Sequence, residues 1–97
     1  MLVKDQVPIF YYGIYRLWTV NIVNDLKPIS FYSFPVKYYI QSMKKASDKV
    51  KHYFDCEVVN TEYDYKNYVI TLHINYEENW YWIKHAETLS ETYRSFW

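Results

Sequence analysis

Residues 68–76 alternate strictly. Tyr68, Ile70, Leu72, Ile74 and Tyr76 fall on one side, and Val69, Thr71, His73 and Asn75 on the other. A period of two is what a strand with one buried face requires, and no amphipathic helix produces it. Residues 57–65 just before are β-branched and aromatic (Val58, Val59, Thr61, Tyr63, Tyr65), and Asp64-Tyr65-Lys66-Asn67 has turn chemistry, so the two stretches predict a hairpin. The same grammar occurs earlier. Residues 14–23 place Ile14, Trp18, Val20 and Ile22 on one side with Thr19 and Asn21 opposite; 24–28 reads as a loop, and 29–34 as a short returning strand.

Each hairpin is followed by a helical pattern. Val36, Tyr39, Ile40, Met43, Val50, Tyr53 and Phe54 recur near a 3.6-residue period, with Ser33 as the expected N-cap and Pro35 in the first turn. Over 79–96, Trp82, Ala86, Leu89, Tyr93 and Phe96 form a second stripe, although the β-formers of 80–85 keep a strand there open as the alternative. Shifting the chain by 43 residues lays Tyr38-Tyr39-Ile40 on Tyr81-Trp82-Ile83, Ser47-Asp48 on Ser90-Glu91, and Tyr53-Phe54 on Phe96-Trp97. The expectation is a single α+β domain of order β-β-α-β-β-α. Two pseudo-symmetric ββα repeats, 13–55 and 56–97, would form a four-stranded, mainly antiparallel sheet with both helices on one face, after an N-terminal arm of residues 1–12.

Composition bears on function through its rings. The 13 Tyr, 5 Phe and 4 Trp make up 23% of 97 residues. At roughly 150–250 Å² each they exceed what a domain this small can hide, since it buries only about two-thirds of its unfolded surface. Several rings must stay at the surface, where tyrosine keeps its hydroxyl wet and offers a large contact area with few rotors to freeze. Such rings suit a binding surface, and a groove between the two repeats lined by Tyr11, Tyr12, Tyr15, Trp18, Tyr63 and Tyr65 is the candidate site.

Chemistry finds little support. The single glycine, Gly13, cannot build a phosphate loop, a dinucleotide turn or a nucleophile elbow, each of which needs several positions without a Cβ. His52 and Cys56 are four apart, as two ligands on one helix face would be, but no second pair accompanies them. Glu77 and Glu78 would join Asp64 only if the hairpin ends met, and adjacent acids before a helix more often complement its dipole. The expectation is therefore a non-enzyme with no catalytic residue, no cofactor and no metal.

Charge divides along the chain. Residues 1–52 hold eight Lys and Arg against three Asp and Glu, and residues 53–97 hold three against eight, so the halves carry +5 and −5 and the whole is neutral. Lys37, Lys44 and Lys51 recur every seven residues, a column stepping about 10.5 Å if one helix carries all three. Such a column could follow phosphates while tyrosines stack on bases, which makes single-stranded nucleic-acid binding the alternative function. The leading expectation is a protein-protein interaction module for another protein or peptide, with a homodimer as a form of the same idea and no membrane role. No apolar run is long enough to span a bilayer, no signal peptide is evident, and one cysteine without a secretory signal points to an intracellular setting. In overall style (tyrosine-rich, glycine-poor, short, one cysteine) the chain resembles the small orphan proteins of filamentous viruses that infect hyperthermophilic archaea. That resemblance implies a virus-encoded accessory protein acting inside the host cell and assigns no residue a role.

Overall fold

A computed structural model describes residues 1–27 and 31–77. They form an α+β fold with helix α1 (Val3–Tyr11), strands β1 (Thr19–Asn24) and β2 (Phe31–Pro35), helices α2 (Tyr39–Lys45) and α3 (Asp48–Phe54), and strands β3 (Val58–Asp64) and β4 (Val69–Ile74). The four strands make one mixed sheet in the order β2-β1-β4-β3. Both hairpins, β1–β2 and β3–β4, are antiparallel as expected, whereas the central pair β1–β4 is parallel.

Alternation explains the core. Val20 and Ile22 of β1, Phe34 of β2, and Ile70, Leu72 and Ile74 of β4 all turn to one face and are buried. Each aliphatic side chain so hidden contributes roughly 1.5–3 kcal/mol of gross stabilisation. Helices cover this face: the Tyr39 ring of α2 stacks on Phe34, Phe54 of α3 meets Tyr32, and Gln6 of α1 donates to the Thr61 hydroxyl at 3.2 Å. The opposite face carries Thr19, Asn21 and Val23 of β1 with Val69, Thr71 and His73 of β4, all half-buried.

Residues 1–12 are not an arm. Val3, Val7 and Phe10 recur at steps of four and three and lie buried in the shared core. Pro8 stands inside α1 and removes the N–H that would bond the Lys4 carbonyl. The Tyr39 hydroxyl donates to that same carbonyl at 3.4 Å, so α2 supplies part of what the proline takes away. Gly13 ends the segment where a Cβ would stand 3.0 Å from the Ile9 carbonyl oxygen.

Three further expectations change. The first strand starts at Thr19, not at residue 14, and Ile14 is 87% exposed in the preceding loop. Ser33 lies within β2 and caps nothing; Pro35 closes that strand, and a 3-10 turn (Val36–Tyr38) follows. The single helix expected from residue 36 onward is divided, because Ala46 is extended and the Ser47 hydroxyl accepts from the Val50 N–H at 3.5 Å to start α3. The stripe of period 3.6 was real, but a local N-cap cuts across it.

The pseudo-symmetric repeat does not organise the sheet. A twofold axis relating the hairpins would set equivalent strands side by side at the seam, first with first or last with last. Here the first strand of one hairpin lies parallel to the last of the other. The second helix expected over 79–96, its alternative strand at 80–85, and thus the later half of the 43-residue echo fall outside the described residues.

Both ends of the parallel seam are closed by specific bonds. At one end the Thr19 N–H donates to the Tyr68 carbonyl at 3.0 Å. At the other, Asp25 N–H donates to Ile74 O at 2.8 Å, and the fully buried Asn24 side chain clamps Tyr76, donating to its carbonyl at 2.7 Å and accepting from its N–H at 2.9 Å. Asn24→Ala leaves the two Tyr76 backbone groups without these partners and is expected to cost about 2–3 kcal/mol of unfolding free energy in urea titration. A loss below about 0.5 kcal/mol, the range of ordinary surface changes, would show that the clamp does not hold the seam.

Candidate functional site

Parallel pairing sets the start of β1 beside the start of β4, and the β3–β4 turn brings the end of β3 to the same place. That end of the sheet is where the rings gather. Trp18, just before β1, is the hub: Tyr15 meets it edge-on at 4.7 Å, Tyr65 at 5.4 Å and Tyr68 at 5.6 Å. Tyr63 lies 5.5 Å from Tyr15 and stacks on Tyr65 at 6.1 Å, with 22° between the planes. Beneath them Phe10 of α1 touches Tyr15 and Tyr63 edge-on, at 5.9 and 6.3 Å. Edge and offset contacts at these distances suit the ring quadrupoles and fix the rings with respect to one another.

Exposure grows outward across the cluster. Phe10 is buried, Tyr15 and Trp18 are half-buried, and Tyr63, Tyr65 and Tyr68 are 40%, 65% and 60% exposed. The Tyr15 phenol is held above its ordinary pKa, first by its hydrogen bond with the Tyr65 hydroxyl and then by burial. The ring contacts hold these side chains against one another.

Of the six residues singled out in the sequence, four (Tyr15, Trp18, Tyr63, Tyr65) come together here. Tyr11 and Tyr12 form a separate group: their rings meet at 4.8 Å, Tyr39 lies 6.3 Å from Tyr11, and the Arg16 guanidinium sits 5.3 Å over the Tyr11 ring. Tyr68 was expected on the inward face of its strand. It stands instead before β4 with φ of 59°, a left-handed conformation uncommon for a bulky residue, and that backbone turns its ring out to Trp18. Asp64 sets up the turn, accepting from the Lys66 and Asn67 N–H groups at 3.0 Å each and from the Asn67 side chain at 2.8 Å. These bonds, the Asn67 side chain first, hold the Asp64 carboxyl below its ordinary pKa. Turn chemistry was visible in the sequence; the left-handed residue that follows it carried no mark there.

The lysine column does not persist. Lys37 lies on the 3-10 turn with its ammonium 5.1 Å over the Tyr38 ring, while Lys44 and Lys51 belong to α2 and α3. Lys44 and Lys51 border a hollow of about 400 Å³ together with Met43, Phe54 and Lys4, and Lys4 is paired with Asp55 at 3.0 Å. The extended Ala46 breaks the heptad spacing that one helix would have kept.

Elsewhere the titratable groups hold structure together. Cys56 donates its S–H to the His52 carbonyl at 3.3 Å, closing α3, and burial, followed by the charge of Asp55, pushes the thiol up to about 11, so it stays protonated at neutral pH. Asp64 and Glu77 lie at opposite ends of β4, because Asp64 pairs with Val69 while Val58 pairs with Ile74. Among the described residues no group of three or more His, Cys, Asp and Glu is arranged to hold a metal ion, and no helix is long and apolar enough to cross a membrane. Comparison with protein-family models, with curated proteins and with solved structures finds no match.

One histidine ties three segments on the face away from the helices. His73 of β4 places Nδ1 2.7 Å from Asp25, just after β1, and Nε2 3.1 Å from Glu62 of β3. Asp25 first and Glu62 second raise the imidazole above its ordinary value of 6.5. A raised folded pKa means stabilisation that is complete below the unfolded value and disappears as pH climbs through the folded one. Thermal unfolding is therefore expected to show a midpoint that falls as pH rises above 6.5, with a shallower slope in His73→Gln. Equal slopes for the two proteins would assign the pH dependence to other groups.

Proposed function

We propose that this chain is a small non-enzymatic binding module that receives a peptide or a segment of another protein on the ring surface around Trp18. The observation that carries the reading is the convergence of three separated stretches, 15–18, 63–65 and 68, into one connected cluster whose outer rings are exposed. Well-packed aromatic side chains at the centre of a patch are the usual energetic anchors of an interface. In this reading the site is the ring surface at one end of the sheet and not a groove between equal halves, since the two hairpins are joined by a continuous pair of strands. Compositional resemblance to virus-encoded accessory proteins agrees with partner binding better than with metabolism.

Nucleic-acid binding through the same rings is less well supported. Glu62 and Asp64 of β3 alternate along the chain with Tyr63 and Tyr65, where they would repel phosphates, and the three lysines lie in the helical layer.

Selection from a displayed peptide library against the full chain tests the proposal. Selected peptides are expected to bind about tenfold more weakly, or worse, to Tyr65→Ser and Tyr68→Ser variants that unfold at the wild-type midpoint. They should also keep most of their affinity in high salt. Selected peptides indifferent to both substitutions would sink the ring surface as the site. Tight, steeply salt-dependent binding of a single-stranded oligonucleotide would favour the other function.

A further inference from the structure

Beyond the peptide site, and without resting on it, we infer that this chain docks on an anionic lipid surface through the tip formed by residues 12–17. Helix α1 ends at Tyr11, and the chain enters β1 only at Thr19. Two bonds shape the connection: Gly13 N–H donates to Phe10 O at 3.3 Å, and Trp18 N–H to Tyr15 O at 2.9 Å. Tyr15 turns inward against Phe10 and Trp18. Its neighbours turn outward. Tyr12, Ile14 and Leu17 are 82%, 87% and 79% exposed, and Arg16, just before Leu17, is exposed with them. A single apolar residue at a surface needs no explanation, but three so nearly free in one short connection mark a contact surface.

Shape and charge indicate what covers it. Side chains this free stand out from the body, so a protein partner would need a pocket to receive each one. A bilayer interface takes projecting aliphatic residues without a complementary shape, and amphipathic rings such as Tyr12 settle at headgroup level. Such contact from one side needs no spanning helix. No carboxylate occurs between Asp5 and Asp25. The strand pairings bring the exit of β2 and the β3–β4 turn to this same end, which adds the exposed Lys37 and Lys66 to Arg16 against one carboxylate, Asp64. Among the described residues none of these three cations forms a salt bridge. Arg16 and Lys37 lie over tyrosine rings instead, at 5.3 and 5.1 Å. Cationic heads on stems that rest against apolar surface are suited to lipid phosphates. Asp25, Asp55 and Glu57 fall at the opposite end of the sheet, away from such a surface. Pairing two copies tip to tip would set Arg16 against Arg16, and like charges brought together oppose association. Charge thus favours an anionic bilayer over a second copy of the chain.

The test is flotation of the full chain with vesicles of phosphatidylcholine alone and of phosphatidylcholine mixed equally with phosphatidylserine. Binding to the mixed vesicles is expected, weaker on the neutral ones and in high salt. The Ile14→Ser/Leu17→Ser double variant should bind about tenfold more weakly, or worse. Arg16→Gln should bind about fivefold more weakly. All three side chains are exposed, so both variants are expected to unfold at the wild-type midpoint. No binding to the mixed vesicles overturns the inference. Full binding by the double variant overturns the tip as the inserting element and leaves only surface charge. Concentration-dependent dimers that the double variant dissolves, with no vesicle binding, would put a second copy in place of the bilayer. Peptide binding is read in Tyr65→Ser and Tyr68→Ser, and vesicle binding in the tip variants, so either reading can fail while the other stands.

Discussion

Parallel pairing of β1 with β4 is the contact on which the molecule depends. Two antiparallel hairpins are local objects, and each is marginal alone. Laying β1 against β4 makes a four-stranded sheet of them and lines up Val20 and Ile22 with Ile70 and Leu72, so that one face becomes continuously apolar. The helices then have something to cover. Asn24 holds this seam from inside the core by exchanging two hydrogen bonds with Tyr76, which joins the chain leaving β1 to the chain leaving β4. A buried amide satisfied on both sides is also specific, because sliding either strand by one residue would break both bonds and turn every side chain to the wrong face.

The direction of that pairing creates the candidate site. Because β1 and β4 run the same way, Trp18 and Tyr68 enter the sheet at one end, and the turn that begins at Asp64 returns Tyr63 and Tyr65 to it. An antiparallel seam would have sent these rings to opposite ends of the sheet. The ring surface follows from topology more than from any motif. Phe10 links it to the core, so the helix built by residues 3–11 both closes the hydrophobic face and supports the rings from below.

The helical layer shows the same economy of local rules overridden by packing. Pro8 would normally interrupt a helix, and here α1 continues through it while the Tyr39 hydroxyl reaches the Lys4 carbonyl. Residues 36–54 have one apolar stripe but three short elements, since Ser47 caps a new helix and the chain bends to lay Tyr39 on Phe34 and Phe54 on Tyr32. The bend at Ala46 also sets Lys51 on a different helix from Lys44, which ends the regular cationic column.

What the sequence determined by itself was local. Alternation marked β4 and the inward set Ile70, Leu72 and Ile74; the turn at Asp64 and both hairpins were legible because strand period and turn chemistry act over a few residues. Tyr15, Trp18, Tyr63 and Tyr65 could be named from ring surplus, but not their meeting, nor the part played by Tyr68. The helix at residues 3–11 was hidden by Pro8 and by tyrosines that suit either period. Only the tertiary structure decided the parallel seam, the inequivalence of the two hairpins and the end at which the rings collect. Strand order and direction are set by contacts between residues some fifty positions apart, such as Asn24 with Tyr76, and no local pattern records a partner that far along the chain.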